Sequence, residues 1–132
     1  MEILSSDPFI LLDACIHSAS CENVKEVLRH LGISNCTVIV GIPEDKDYAG
    51  VIRSMREIAD RIILTRSGNP HYHFSKHQRE NPALEGIAAE WTDSVQQALT
   101  LAGSCPDPIV ILGTTSVISE VERIFGNLNL PS

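Results

Sequence analysis

The sequence has no apolar run near the ~20 residues that a membrane-spanning helix needs. Its start lacks the cationic segment of a signal peptide and carries Glu2 and Asp7 instead. Positive charge is also scarce, because 10 Lys and Arg stand against 17 Asp and Glu, for a net charge of −7. That balance excludes the basic surface of a nucleic-acid-binding protein. These absences predict a cytoplasmic protein with no membrane or nucleic-acid partner.

Cysteine spacing and glycine motifs exclude further classes. No C-x-x-C pair is present, so we expect reduced cytosolic thiols, with neither a disulfide framework nor a zinc knuckle. The four cysteines are Cys15, Cys21, Cys36 and Cys105. The chain also has no G-x-x-x-x-G-K-[ST] loop, no G-x-G-x-x-G fingerprint and no G-x-S-x-G elbow. It therefore carries no phosphate-binding loop of its own.

Short apolar runs alternate with helical periodicity along the chain. Continuous apolar runs predict strands at residues 8–12, 37–40, 61–65 and 108–112, with a weaker one at 87–91. Apolar spacing of three and four predicts helices within residues 24–31, 51–59, 95–102 and 117–125. Strands that are apolar throughout are buried on both faces. The pattern predicts an α/β fold with a doubly wound, mainly parallel, Rossmann-like sheet and helices on both faces.

Ligands of doubly wound folds bind at the carboxyl ends of the strands, so the functional residues are expected there. The segments that follow the predicted strands are residues 13–18, 41–47, 65–69 and 113–116. In the first segment, Asp13 could accept a hydrogen bond from a ribose hydroxyl or cap a backbone turn. His17 could donate to a carboxylate or phosphate, or be an exposed loop histidine.

Two other strand ends offer groups for an anion. Lys46 lies between two aspartates near a helix start, where it either binds an anionic ligand or is simply solvated. Asp47 is favoured as the cap of that helix. Gly113 and the three hydroxyl residues after it open the last helix, whose N-terminal N–H groups attract anions. An ordinary N-cap has the same composition, so both interpretations stay open.

Three histidines of the polar segment 66–81 are candidate metal ligands: His71, His73 and His77. Zinc patterns usually combine histidine with cysteine or carboxylate ligands in a defined geometry. A solvated, histidine-rich loop is therefore the favoured interpretation, and the sequence predicts no metal site.

Taken in chain order, the strand ends resemble the C-terminal glutamate-ligase domain of folylpolyglutamate synthases, in the Mur ligase superfamily. That family enters the domain with Asp-Gly-Ala-His-Asn-Pro and continues with Gly and Asp-Lys-Asp before a helix. An Asn-Pro loop, a Glu-Ala-Leu type helix, a Gly-Ser strand end and a Glu-Val pair follow. The matching positions are residues 10–18, Gly41 with 45–47, Asn69–Pro70, 94–99, 109–114 and 120–121. The resemblance extends over residues 2–125.

The resemblance implies an ATP-dependent ligase that joins glutamate to a folate. ATP would phosphorylate a carboxylate, and the glutamate amine would attack the acyl phosphate. By resemblance, Asp13, His17 and Lys46 would contact the nucleotide, and Thr114 and His17 would contact glutamate. ATP and Mg²⁺ would be bound mainly by a central P-loop domain, preceded by an N-terminal domain, of a longer chain. Residues 1–132 would be a single Mur-ligase-type C-terminal domain, inactive when isolated.

The first motif departs from the family pattern. Ala14 replaces Gly, one residue is inserted before His17, and Ser18–Ala19 replaces Asn-Pro. Thr114 replaces Ser but keeps a hydroxyl. Two alternatives therefore stay open beside the ligase interpretation. One is a degenerate, non-catalytic ligase-like domain used for binding or interaction, and the other is an unrelated flavodoxin-like domain of the same architecture.

Overall fold

The computed structural model describes residues 1–128. The strands are β1 (Glu2–Ser6), β2 (Phe9–Asp13), β3 (Cys36–Gly41), β4 (Ala59–Leu64), β5 (Ala89–Trp91) and β6 (Ile109–Gly113). The helices are α1 (Cys21–His30), α2 (Tyr48–Met55), α3 (Val95–Ala102) and α4 (Thr115–Leu128). Short 3₁₀ turns occur at Ser18–Ser20, Lys76–Glu80 and Pro82–Leu84. Every strand and helix that the periodicity predicts is present, including the weaker strand near residue 90.

The strands form one sheet in the order β1-β2-β6-β3-β4-β5. β1 is antiparallel to β2, and all other neighbouring strands are parallel. β6 comes last in the chain but lies between β2 and β3, so the connection from β5 back to β6 runs in the opposite direction to those from β2 to β3 and from β3 to β4. Ligand sites of open α/β sheets lie beside such a point, at the carboxyl ends of the strands.

Two apolar layers cover the two faces of the sheet. On one face, α1 and α2 pack on side chains that include Leu11, Val38, Val40, Val110 and Leu112. On the other face, α3 and α4 pack on side chains that include Ile10, Leu12, Ile39, Ile63 and Ile111. Alternate residues of β2, β3 and β6 thus enter different cores, which is why these strands are apolar at every position. The predicted doubly wound fold with helices on both faces is confirmed.

Two features of the fold are absent from the sequence prediction. β1 is a half-polar, largely exposed antiparallel edge strand, so it lacks the apolar run that marks the other strands. The polar segment after β4 is irregular, as predicted, yet it is anchored to the sheet. There Gln78 is buried, and its side-chain amide donates to the carbonyl of Ile42 at 2.9 Å. Within residues 1–128, no helix is both long and apolar enough to span a bilayer.

Candidate functional site

The carboxyl ends of β2, β3, β4 and β6 lie along one edge of the sheet. Parallel register places Asp13 opposite Leu112 and Gly41 opposite Gly113. The four segments that the sequence singled out as strand ends therefore converge at this edge.

A cavity of about 310 Å³ opens at this edge. Its lining combines the loops after β2 and β3, the start of α4 and one aromatic ring of the polar segment: Ala14, Ile16, Lys46, Tyr72, Thr114 and Thr115. Lys46 and Thr114, two of the predicted site residues, meet here although 68 positions separate them in the sequence. The cavity joins one cation to hydroxyl groups at a helix start, which is a suitable arrangement for an anionic ligand.

Lys46 is held by a turn and leaves its ammonium free. Its backbone N–H donates to the carbonyl of Pro43 at 3.1 Å, and the side chain is exposed. Among residues 1–128, no carboxylate lies within ion-pair distance of this ammonium. The cation is therefore presented beside the cavity without a neutralising partner.

Asp47, the next residue, has a structural role. Its carboxylate accepts from the Gly50 N–H at 3.2 Å as the N-cap of α2, which confirms the capping interpretation. It also accepts from the Ser18 N–H at 3.0 Å. The Ser18 N–H bond is the main reason that the pKa of Asp47 is lowered, and the Gly50 bond adds to it. Asp47 thereby ties the loop after β2 to α2, which fixes two walls of the site to each other.

Thr114 caps the last helix as well as lining the cavity. The residue is buried, and its Oγ1 accepts from the Val117 N–H at 3.4 Å. Oγ1 also lies 2.8 Å from the Ser116 hydroxyl. The two interpretations of this segment, N-cap and anion site, are thus compatible, because capping uses only part of the hydrogen-bonding capacity of the hydroxyl.

Asp13 and His17 flank the cavity without lining it. The Asp13 carboxylate ends β2 and lies 3.8 Å from the Met1 amino group. The His17 ring is exposed, and its Nδ1 lies 3.4 Å from the Ser20 hydroxyl. The structure therefore brings Lys46 and Thr114 together and leaves these two side chains at the periphery of the site.

Sequence reasoning missed a chain of hydroxyl groups that continues from Thr114. The Ser116 hydroxyl donates to that of Ser67 at 3.0 Å, and Ser67 is buried to 1% exposure. A cavity of about 650 Å³ adjoins this chain, lined by Gly68, Asn69, Ser116, Ser119, Glu120 and Arg123. Glu120 holds its rim by accepting from the Gly68 N–H at 2.9 Å. The strand-end position of residues 65–69 and the Asn-Pro match both pointed to this loop, but neither predicted the contact between the Ser67 and Ser116 hydroxyls.

None of the three histidines of the polar segment lines either cavity. His71, His73 and His77 are exposed, and His77 Nδ1 lies 3.0 Å from a carboxylate oxygen of Glu80. Within residues 1–128, no three His, Cys, Asp or Glu side chains are grouped so that they could hold a metal ion.

Comparison with solved structures places the fold. The chain superposes on folylpolyglutamate synthase structures. These are the enzyme of Mycobacterium tuberculosis complexed with ADP and AMPPCP (TM-score 0.81, 18% identity) and that of Thermotoga maritima (0.79, 19%). The third is the bifunctional folylpolyglutamate synthase/dihydrofolate synthase of Yersinia pestis complexed with AMPPNP and Mn (0.79, 18%). The superpositions cover 99%, 98% and 94% of this chain but only 32%, 31% and 30% of those proteins. No family model and no curated protein matches the sequence.

These likenesses establish the fold and agree with the resemblance read from the strand ends. The identities are low, so they carry the architecture and not the activity. The chain has the fold of about one third of a folylpolyglutamate synthase.

Proposed function

We propose that this chain is the C-terminal domain of an ATP-dependent ligase that adds glutamate to a folate. The observation that carries the proposal is the meeting of Lys46 and Thr114 at one cavity, on the ligand-binding edge of this fold. Two of the solved structures with this fold were obtained with ADP and AMPPCP or with AMPPNP, which supports a nucleotide as one ligand of the longer protein.

Charge explains why Lys46 matters for such a reaction. Phosphoryl transfer from ATP to a carboxylate gathers negative charge between two anions, and catalysis depends on neutralising that charge and aligning the groups. An ammonium with no carboxylate partner can approach the phosphates as the domain closes over them. In this proposal Lys46 and the side chains of Asp13 and His17 face the nucleotide.

The hydroxyl groups at the start of α4 serve the second substrate. Thr114, together with the N-terminal N–H groups of the helix, would bind a glutamate carboxylate, and His17 would approach the same amino acid. Correct placement brings the glutamate amine close to the acyl phosphate, so the attack becomes effectively unimolecular. In this proposal the chain orients the substrates, and the phosphoryl group passes from ATP to the substrate carboxylate without being bonded to this chain.

The remaining parts of the reaction fall to other domains. The sequence has no P-loop, and the described residues group no metal ligands. Because the chain spans about one third of the folylpolyglutamate synthases it resembles in fold, we propose that an N-terminal domain and a central P-loop domain of the same protein bind ATP and Mg²⁺. A cytoplasmic location fits substrates of folate metabolism.

The test uses the longer protein that carries this chain. We expect ADP release that requires ATP, Mg²⁺, a folate and glutamate together. Lys46→Ala should lower kcat/KM at least ~10-fold, the value of one lost charge contact of about 1.4 kcal/mol. Lys76→Ala is the matched control, because Lys76 is also an exposed lysine but lies outside the cavity lining.

The contrary results are equally specific. Equal losses for Lys46→Ala and Lys76→Ala would show that only general charge matters and would remove Lys46 from the site. Absence of glutamate-dependent turnover with any folate would reject the ligase assignment.

A second candidate, a degenerate ligase-like binding module, is favoured by the loop after β2. Its family Gly is Ala14, and its Asn-Pro is Ser18–Ala19. The Ser18 N–H is already bound to Asp47 and is not free for a ligand. Ala14→Gly with Ser18→Asn, made in the longer protein, separates the candidates. A gain in turnover would mark the present loop as impaired, whereas unchanged turnover in an active enzyme would reject degeneration.

A further inference from the structure

Two cysteine thiols lie in direct contact beneath the loop after β2. The Sγ atoms of Cys15 and Cys21 are 3.6 Å apart, and the residues are exposed by only 2% and 0%. The two other cysteines of the chain have no such neighbour among residues 1–128, since Cys36 contacts a backbone carbonyl and Cys105 is exposed. Neither thiol of the pair takes part in the proposed ligase reaction.

The pair shares one backbone acceptor. The Cys15 thiol lies 3.4 Å from the His17 carbonyl, and the Cys21 thiol lies 4.0 Å from it. Cys15 follows β2 by two residues, and Cys21 is the first residue of α1. The thiols therefore join the two ends of the loop that carries His17.

The two thiols differ in acidity, which gives each a distinct role. The pKa of Cys21 is lowered, chiefly because the Cys15 thiol donates a hydrogen bond to it, with smaller effects from Ser54 and the Lys25 ammonium. The same contact, together with burial, raises the pKa of Cys15. The start of α1 adds the positive end of a helix dipole beside Cys21. Cys21 is thus the sulfur that ionises first.

We propose that Cys15 and Cys21 are a site of reversible oxidation, at which a low-molecular-weight disulfide converts the dithiol into an intramolecular disulfide. The Cys21 thiolate attacks one sulfur of the small disulfide, whose S–S bond breaks and releases one small thiol. Cys15 then loses its proton and attacks the Cys21 sulfur, which releases the second small thiol. The protein gives up two electrons and two protons, and the small disulfide takes them up.

The step needs a small, local rearrangement. Bringing the sulfurs from 3.6 Å to bonding distance requires an approach of about 1.6 Å. Ser18–Ser20, the single 3₁₀ turn between the cysteines, is mostly exposed and contains no buried residue, so it can open to admit the oxidant. After oxidation the His17 carbonyl has lost both thiol donors. Disulfides of cytosolic proteins are usually transient in this way.

Mass spectrometry of the whole chain tests the proposal directly. The sequence has no Lys or Arg before Lys25, so trypsin releases residues 1–25 as one peptide that holds both cysteines. After equilibration with oxidised glutathione and alkylation, we expect this peptide to be lighter by two hydrogen atoms and unalkylated. Reduction should restore two alkylation sites. After alkylation under denaturing conditions, the peptide with the buried Cys36 should be alkylated, and the peptide with the exposed Cys105 should carry either an alkyl group or one glutathione.

Controls keep the result independent of folding and of the proposed ligase function. Cys105→Ser removes the exposed thiol and should leave the oxidation of peptide 1–25 intact, whereas Cys15→Ser and Cys21→Ser should each abolish it. The mass of peptide 1–25 from the wild-type protein is sufficient to decide whether the disulfide forms. The test therefore does not depend on whether the cysteine variants fold. Recovery of two free thiols in peptide 1–25 under oxidising conditions, or only dimers through Cys105, would overturn the proposal.

Discussion

Lys25 is the most deeply buried charged residue of the described chain, with 1% of its surface exposed. Its ammonium lies 2.8 Å from Glu22 on the same helix and 2.9 Å from Glu57 beyond α2, and it also reaches the carbonyl of Ser54 at 3.4 Å. The side chain therefore links α1 to the end of α2 through its stem and its charge. Burial disfavours the charged ammonium and so lowers the pKa of Lys25, but the hydrogen bonds to the two carboxylates have the larger total effect. The pKa of Lys25 is therefore raised.

The first prediction separates the stem of Lys25 from its charge. Lys25→Met keeps the apolar stem and should change the free energy of unfolding by less than about 1 kcal/mol, because both carboxylates are exposed and become solvated. Lys25→Ala also removes the stem and should cost about 2 kcal/mol. Urea denaturation of both variants, with Lys76→Met as an exposed control, measures the difference. A large loss in Lys25→Met would assign the stabilisation to the charge.

The second prediction concerns pH and follows from the signs of two shifts. The raised pKa of Lys25 gives stability that is lost only as pH rises above about 10.4. The lowered pKa of Glu22 gives stability present above about pH 4.3 and lost as pH falls through the folded value. At a pH below the folded pKa of Glu22, that carboxylate is protonated and no longer pairs with the Lys25 ammonium. Wild type should therefore lose stability relative to Lys25→Met in this acidic range. Parallel pH profiles of the two proteins would contradict the linkage.

The sequence could not reveal this residue in advance. Lys25 falls between Val24 and Val27 of an apolar stripe, where a lysine normally marks the solvated side of a helix. Its second carboxylate is 32 positions away, and periodicity carries no information about such pairs. The contact between Cys15 and Cys21 could not be predicted for a related reason. A cysteine in an apolar segment is expected to be buried, but the sequence does not show which buried thiols touch each other in the folded chain.

At the scale of elements, the ends of β3 and β6 approach so closely that side chains are excluded. A Cβ added at Gly113 would lie 2.5 Å from the carbonyl oxygen of Gly41, and one at Gly41 would lie 2.7 Å from Val117. These glycines let α4 begin immediately after β6, which places Thr114 at the cavity. The sequence marked both as strand ends without showing that they meet.

Gly113→Ala is therefore the third prediction. Backbone must shift to relieve the contact, and we expect the free energy of unfolding to fall by about 1–3 kcal/mol. Gly126→Ala is the matched control, because this glycine lies in α4 and a Cβ there meets nothing within 4 Å. That substitution should stabilise by about 0.5–1 kcal/mol through helix propensity. Equal stabilities of the two variants would show that the strand ends are not packed as described.

The outer strands explain where sequence patterns stop predicting elements. β1 was missed because an exposed edge strand needs no apolar run. β5 was only weakly signalled by its three residues, and a tertiary contact supports it. There Arg61 donates to Glu90 at 2.6 Å and 3.2 Å, in a paired bond between β4 and β5. The buried central strands were predictable because burial on both faces requires an apolar residue at nearly every position.

At the scale of the whole molecule, folding and catalysis have different size requirements. Two apolar layers on a six-stranded sheet provide a core that a chain of 132 residues can sustain alone. The proposed reaction needs more, because the phosphate-binding loop is not in this sequence and the synthases that share its fold are about three times as long. The alternation of apolar strands with amphipathic helices was sufficient to predict the fold, whereas the peripheral position of His17 depends on the packing of a loop that no motif encodes.

The last prediction tests, on one sample of the 132-residue chain, whether it folds alone and whether it catalyses the reaction alone. The 132-residue chain should unfold in a single cooperative transition, observed identically by far-UV circular dichroism and by Trp91 fluorescence, because both cores share the same strands. The same sample should release no ADP from ATP in the presence of Mg²⁺, glutamate and a folate, since Lys46 and Thr114 orient substrates but nothing in the sequence cradles the transferred phosphate. A folded chain that turned over these substrates would contradict the proposed division of labour. Two separate transitions would instead contradict the coupling of the two cores through β2, β3 and β6.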